Sequence, residues 1–163
     1  VHYKHCREIG AAIKGKTLPK AVAYLENVLQ FKEAIPFTKY TGGIGRHSQA
    51  KQMKCPGDKV AWPQKATKSF LDLLKNVKSN AASKDLDTEI MTIVHANCQQ
   101  APKMRRRTYR AHGRVNAYMS SPAHIEIIAA EPEQEIAKEA EAKPKLTKKR
   151  AAQLRAIKKG GGV

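Results

Sequence analysis

The chain has 163 residues, with 31 Lys and Arg against 14 Asp and Glu, an excess of 17 positive charges before any histidine is counted. A small domain ordinarily carries a net charge of about 2 to 8 units, so this excess repels itself unless a polyanion neutralises it, and nucleic acid is the partner the arithmetic points to. At 41% hydrophobic residues the chain is too apolar for a wholly disordered basic tail, so one folded domain with a tail is expected. No apolar run approaches the roughly 18 residues of a membrane span, so no membrane partner is expected. Cys6, Cys55 and Cys98 are odd in number and contain no C-x-x-C pair, which argues against a disulfide framework or a zinc ribbon and fits a reducing compartment. The opening Val-His-Tyr-Lys-His-Cys-Arg-Glu has no apolar signal core, so a soluble intracellular protein is expected.

Residues 1–4 alternate and read as the remnant of a strand. Ile9, Ala12 and Ile13 followed by Gly15 predict a short amphipathic helix with a glycine stop. Thr17 as N-cap and Pro19 in the first turn open a second helix, with Leu18, Val22, Leu25 and Leu29 on one face. A third helix opens at Trp62-Pro63 and places Ala66, Phe70, Leu73, Leu74, Val77 and Ala81 together, opposite Lys65, Lys68, Asp72, Lys75 and Lys78. Trp62, Phe70 and the leucine stripe read as core.

After Asp87 the period falls to 2: Ile90, Thr92, Val94, Ala96 and Cys98 alternate with Met91, Ile93, His95 and Asn97. A second such run over 123–130 sets Ile125 and Ile127 against His124 and Glu126. The two strands form an extended hairpin, and His95 and His124 are expected to face each other across it. The fold class is therefore α+β: three helices packed on a small antiparallel sheet with a long extended β-hairpin. Composition changes near Glu131. Residues 131–141 hold five glutamates and one lysine, and 143–159 hold eight Lys or Arg and no acid, with a helix expected over 147–159. A domain over 1–130, including the hairpin 88–130, is thus separated from a charged C-terminal tail, 131–163. The body keeps 22 cations against 9 anions, so the basic character belongs to the folded part.

Between the strands, residues 101–122 carry Lys103, Arg105, Arg106, Arg107, Arg110 and Arg114 and no carboxylate. No core accepts such a segment, and it offers little apolar area to offset ordering, so it should be floppy until a partner orders it. Arginine's planar fork suits phosphate oxygens and stacks on bases, as Tyr109, His112 and Tyr118 also do, which points to RNA. Six phosphate contacts make log K fall with log salt at a slope of about −4 to −5. A second basic stretch, 37–51, carries Gly42, Gly43 and Gly45 with Lys39, Arg46 and Lys51. It lacks the Gly-Lys-Ser/Thr of a P-loop, and Ser48 stands where a dinucleotide fingerprint needs its third glycine. Two readings stand for it: a backbone that approaches phosphates, or a surface loop. Asp85, Asp87 and Glu89 read as turn residues rather than magnesium ligands. His2, His5 and Cys6 have no second pair at zinc spacing. No catalytic residue, metal or cofactor is expected.

Ala-Pro-Lys-Met-Arg-Arg-Arg-Thr-Tyr-Arg-Ala-His-Gly-Arg, residues 101–114, closely resembles the hairpin of the large-subunit ribosomal protein family numbered twenty-two in bacteria and seventeen in the eukaryotic cytosol. Tyr-Thr-Gly-Gly-Ile-Gly-Arg (40–46), Gln-Ala-Lys-Gln (49–52), Trp62-Pro63, Leu-Lys-Asn (74–76), Ser-Asn-Ala (79–81) and Ser-Ser-Pro (120–122) follow in the family's order, so the resemblance covers residues 1–130. The Arg-rich block and long charged tail resemble the eukaryotic cytosolic branch. Cys55-Pro-Gly-Asp58 departs from the family's more usual tryptophan- and glycine-containing stretch, and Ala117 stands where the eukaryotic pattern has proline. Family members usually carry residues before Val1, so the start is expected to be incomplete. The resemblance implies a structural, non-catalytic protein of the cytosolic large ribosomal subunit, assembled in the nucleolus, with ribosomal RNA, neighbouring ribosomal proteins and the nascent polypeptide as partners. It implies that Met104, Arg105, Arg106, Arg107, Thr108, Tyr109, Arg110, Ala111, His112, Gly113 and Arg114 line the peptide exit tunnel, and that residues 42–51 form an RNA-contacting loop. The expected RNA-binding set is Lys39, Arg46, Lys51, Lys103, Arg105, Arg106, Arg107, Tyr109, Arg110, His112 and Arg114. The rival expectation, from the lysine-rich tail, is a chromatin-associated DNA binder.

Overall fold

A computed structural model describes residues 1–132 and 147–158. One unit, Val1–Pro132, runs α1 (Tyr3–Ile13), α2 (Leu18–Leu29), β1 (Ile35–Pro36), α3 (Gln49–Gln52), β2 (Val60–Ala61), α4 (Gln64–Ala82), β3 (Thr92–Gln100), β4 (Arg107–Tyr109), β5 (Val115–Ala117) and β6 (Ala123–Ala130). Of the tail, helix α5 (Lys148–Lys158) belongs to a second unit and matches the helix expected over 147–159; residues 133–146, with most of the acidic block, lie outside the described residues.

The architecture is α+β. Helices α1 and α4 pack on the antiparallel β3–β6 ribbon, and α2 packs on α4. The three anticipated helices are α1, α2 and α4; the four-residue α3 is additional. Phe70, Ile9, Ile13, Leu18, Leu25, Leu74, Ile35 and Ile93 are fully or almost fully enclosed. Each such side chain contributes on the order of 1.5–3 kcal/mol through removal of apolar area from water. In α4, Leu71 enters this core, while Leu73 is only half-buried. A satellite cluster of Ala34, Ala50 and Val60 lies against the short β1–β2 pair, with Trp62 half-buried between the two cores.

Residues 1–4 are not a strand. Helix α1 already begins at Tyr3, because His2 caps it: its Nδ1 accepts the Lys4 N–H at 3.2 Å. The Tyr3 N–H donates to the Ser121 carbonyl at 3.0 Å, so the helix start is tied to the end of the hairpin connection. Thr17 occupies the N-cap of α2, yet its hydroxyl makes no capping bond. At the end of α1, Gly15 takes φ +79°, a left-handed turn that its lack of a Cβ permits, and donates its N–H to the Ile93 carbonyl at 2.8 Å. Gly10 lets α1 lie directly on β3: a Cβ there would stand 3.0 Å from the Ala96 carbonyl oxygen.

The expected single alternation through β3 is broken. Ile93 pairs with Ala129 but His95 with Ile128, so Val94 is an extra residue on this strand. The bulge reverses the phase. Met91 and Ile93 are buried before it, and Ala96 and Cys98 pack inward after it, while Ile90 and Val94 are exposed. On β6, Ile125 and Ile127 face the core as expected and Ile128 faces out. His95 and His124 are not cross-strand partners, because His124 pairs with Gln99.

Candidate nucleic-acid interface

Beyond β3 and β6 the hairpin continues as a two-stranded ribbon, which we term the arm. The Ala101 N–H donates to the Pro122 carbonyl at 3.1 Å, Ser120 to Met104 at 3.2 Å, Tyr118 to Arg106 at 2.7 Å, and Arg110 to Arg114 at 2.8 Å. Between these bonds β4 and β5 pair Arg107 with Ala117, Thr108 with Asn116 and Tyr109 with Val115. The segment expected to be floppy therefore has a nearly continuous backbone ladder, since antiparallel pairing needs only main-chain groups and propagates from the root. At the tip, His112 and Gly113 take φ +59° and +68°, two successive left-handed residues that reverse the chain in a tight turn over Ala111–Gly113.

No side-chain layer covers this ribbon. Lys103, Met104, Arg105, Arg106, Arg107, Arg110, His112 and Arg114 are all exposed, Tyr109 is 80% exposed, and Thr108 is half-buried with its hydroxyl 3.5 Å from the Asn116 carbonyl. Arg106 lies 5.1 Å from the centre of the Tyr118 ring, a cation–π pair that keeps the guanidinium edge available. An open cleft of about 480 Å³ is lined by Arg105, Arg106, Arg107, Val115, Asn116, Ala117 and Met119. Among the described residues, none of the arm's six cations pairs with a carboxylate; the one ion pair there joins Arg7 to Glu8 at 3.1 Å. Such a ribbon presents unneutralised guanidinium groups beside exposed aromatic and apolar surface, the pairing that RNA phosphates and bases complement.

The second basic stretch is built differently. Phe37 is buried, and the next three residues turn back over α1, where the Glu8 carboxylate, 1% exposed, accepts their main-chain N–H groups. Oε1 takes Tyr40 at 2.9 Å and Lys39 at 3.0 Å; Oε2 takes Thr38 at 3.1 Å, its hydroxyl at 3.3 Å and Arg7 at 3.1 Å. Burial alone would raise the Glu8 pKa, but the N–H groups of Tyr40 and Thr38, the Arg7 charge and the Lys39 N–H outweigh it, leaving the carboxyl below its ordinary value. The loop continues through Gly43 at φ +76° to Arg46, which bridges to Lys59, and then into α3 with Lys51. Lys39, Arg46 and Lys51 are all exposed, each on a different local support: the Glu8 clasp, the Lys59 bridge and α3. The structure thus gathers Lys103 to Arg114 onto one arm and leaves these three on the body.

With both basic regions in place, comparison with known proteins gives a decisive match. The family model described as ribosomal protein L22p/L17e matches residues 1–130. The chain belongs to that family. Among relatives, it is 46% identical to the large ribosomal subunit protein uL22A of Schizosaccharomyces pombe over 94% of this chain and 81% of the relative. It is 52% identical to uL22 of Yarrowia lipolytica over 83% of the chain and 73% of the relative, and 50% identical to uL22 of Zea mays over 86% and 82%. As an L22p/L17e member the chain is a structural protein, not an enzyme.

The acids that suggested magnesium have local work in this family member. Asp87 Oδ1 accepts the Glu89 N–H at 2.9 Å, the Asp87 N–H donates to Glu131 at 2.8 Å, and Asp85 holds a left-handed turn at φ +55°. His2 caps α1, His5 lies 5.9 Å edge-on to Phe37, and Cys6 is buried. Burial, then the neighbouring His2, pulls the His5 pKa down. The three thiols are free; burial, reinforced by Cys6, pushes Cys98 up to about 11, which keeps it protonated and unreactive at neutral pH. Sequence reasoning missed Glu8, together with Tyr3, Lys4 and Tyr40 around it. The available signal was that Glu8 is the one acid in the first 25 residues of a chain otherwise basic there.

Proposed function

We propose that this chain is a structural constituent of the large ribosomal subunit whose body, 1–130, binds ribosomal RNA and whose arm reaches into the peptide exit tunnel. The observation that carries the reading is the arm itself: six cations on an uncovered ribbon without a carboxylate partner among the described residues. Lys103, Arg105, Arg106, Arg107, Arg110 and Arg114 grip RNA phosphates, and Tyr109 and His112 stack on bases. Met104, Thr108, Ala111 and Gly113, with the arginines between them, form the stretch that lines the tunnel and meets the nascent polypeptide. On the body, Lys39, Arg46 and Lys51 fix position through the RNA backbone. Residues 131–163 form a charged tail outside this domain. The protein works in the cytosolic subunit beside neighbouring ribosomal proteins, after assembly in the nucleolus.

Replacing Arg105, Arg106 and Arg107 together by alanine leaves the isolated fold intact and impairs incorporation into large subunits. The check is sedimentation of tagged wild type and variant from lysate, with and without ribonuclease. Equal incorporation of the variant would falsify the role of the arm. Structured RNA is expected to displace duplex DNA at equal salt; the reverse order favours a chromatin-bound protein.

A further inference from the structure

The clasp at Glu8 leaves behind it a surface that the arm does not explain. The Tyr40 ring is half-buried, with Lys4 Nζ and Lys39 Nζ each 5.7 Å from its centre, and Tyr3 meets it edge-on at 6.0 Å and 68°. Both lysines are exposed, and neither pairs with a carboxylate among the described residues, since the Glu8 charge is already engaged by three main-chain N–H groups, the Thr38 hydroxyl and Arg7. Those bonds fix the backbone of residues 38–40, and hence where Lys39 and Tyr40 stand. The Tyr3 N–H bond to Ser121 anchors the other side of the patch to the root of the arm.

We propose that Tyr40, Lys4 and Lys39 form a second RNA site that takes one unpaired nucleotide, with Glu8 as its positioning residue. The base lies against the Tyr40 ring, and the phosphates on either side of it reach Lys4 and Lys39. In the free chain both ammonium groups lie over the ring; the base takes their place on it and they move out to the two phosphates, and any base serves because every base has a π face. The inference rests on the RNA-binding reading above and adds to it a site on the body. The backbone that carries Lys39 and Tyr40 is held by hydrogen bonds to the buried Glu8 carboxylate before RNA arrives, so the freedom lost on binding is mainly that of the two lysine side chains.

The test is the affinity of the full chain for protein-free large-subunit ribosomal RNA of a eukaryote, measured across a salt series. Tyr40→Ala weakens binding by about 5- to 100-fold, the range expected for one base–aromatic stack, without changing the salt slope. Tyr40→Phe, which keeps the ring, binds like wild type. Lys39→Ala makes the slope shallower by about one unit, the signature of one lost phosphate contact. Glu8→Gln, which presents an amide to three donors, loses as much as Tyr40→Ala and adds nothing in the double variant. Wild-type affinity for Tyr40→Ala, with a clear loss for the Arg105, Arg106 and Arg107 triple variant, overturns the second site and leaves the RNA reading standing. Wild-type affinity for Tyr40→Ala and for the triple variant alike overturns both. If Glu8→Gln does not fold, the contrast between Tyr40→Ala and Tyr40→Phe decides alone.

Discussion

The root and the arm of the hairpin are one antiparallel ribbon, but only the root has something to lie on. Along β3 and β6, Ile93, Ala96, Cys98, Ile125 and Ile127 turn toward α1 and α4 and join the core. Along β4 and β5 the alternate positions are Arg107, Tyr109, Val115 and Ala117, and nothing packs on either face. Both are held across by antiparallel backbone bonds, eight residue pairs at the root and three in the arm with flanking bonds between them. What differs is the apolar layer, and a two-stranded hairpin without one is marginal in water. Order at the root therefore comes from burial as well as pairing, whereas the arm is held by its main-chain ladder alone and leaves both faces open.

The largest effect that would sharpen this contrast is Phe70→Ala, which empties the centre of the core and costs about 3–5 kcal/mol in denaturant unfolding. A loss under about 1 kcal/mol would mean that the body is not held by this cluster. The Arg105, Arg106 and Arg107 triple variant should do the opposite, leaving unfolding unchanged within about 0.5 kcal/mol while the salt slope of RNA binding becomes shallower by roughly 2 to 3 units. A destabilised triple variant would break the comparison, because it would show the arm contributing to the fold.

The Glu8 clasp makes a pH-dependent prediction. Its carboxyl is depressed below the ordinary 4.5, so the unfolded chain takes up the proton first. The stabilisation from Glu8 is complete above about 4.5 and is lost as pH falls through the lower folded value. Melting temperatures between pH 6 and 3 should fall more steeply for wild type than for Glu8→Gln; parallel curves would remove the clasp from the account. The smallest effect is at Ile128, whose side chain faces out: Ile128→Thr should change stability by no more than about 0.5 kcal/mol, whereas Ile127→Thr, one residue away on the packed face, should cost more. Equal costs would mean that His95 does not pair with Ile128 across the Val94 bulge.

Much of the fold was legible because it is written in local periods. The stripes Ile9–Ile13, Leu18–Leu25 and Ala66–Leu74 predict α1, α2 and α4, and the alternation at Ile125 and Ile127 predicts β6 and its inward face. The arm was legible from composition, since six cations without an acid admit no core. The strand expected at residues 1–4 failed for want of length: a few alternating residues cannot outweigh a capping histidine that starts a helix. Leu73 and Leu71 exchanged roles because both lie at the edge of the α4 stripe, where the neighbouring elements decide which one is covered.

The amino-acid order alone determined the charge, its concentration on an uncovered segment, and the faces of the three long helices, because each depends on residues close together along the chain. Only the tertiary structure decided the phase reversal at Val94 and the burial of Glu8. On α1, Glu8 lies about 100° round from Ile9 but one turn before Ala12, at the border of the apolar face, where helical periodicity does not decide between core and solvent. It is buried because Thr38, Lys39 and Tyr40, some thirty residues onward, fold back and bring their N–H groups to it. A contact between residues so far apart in sequence has no local period to announce it.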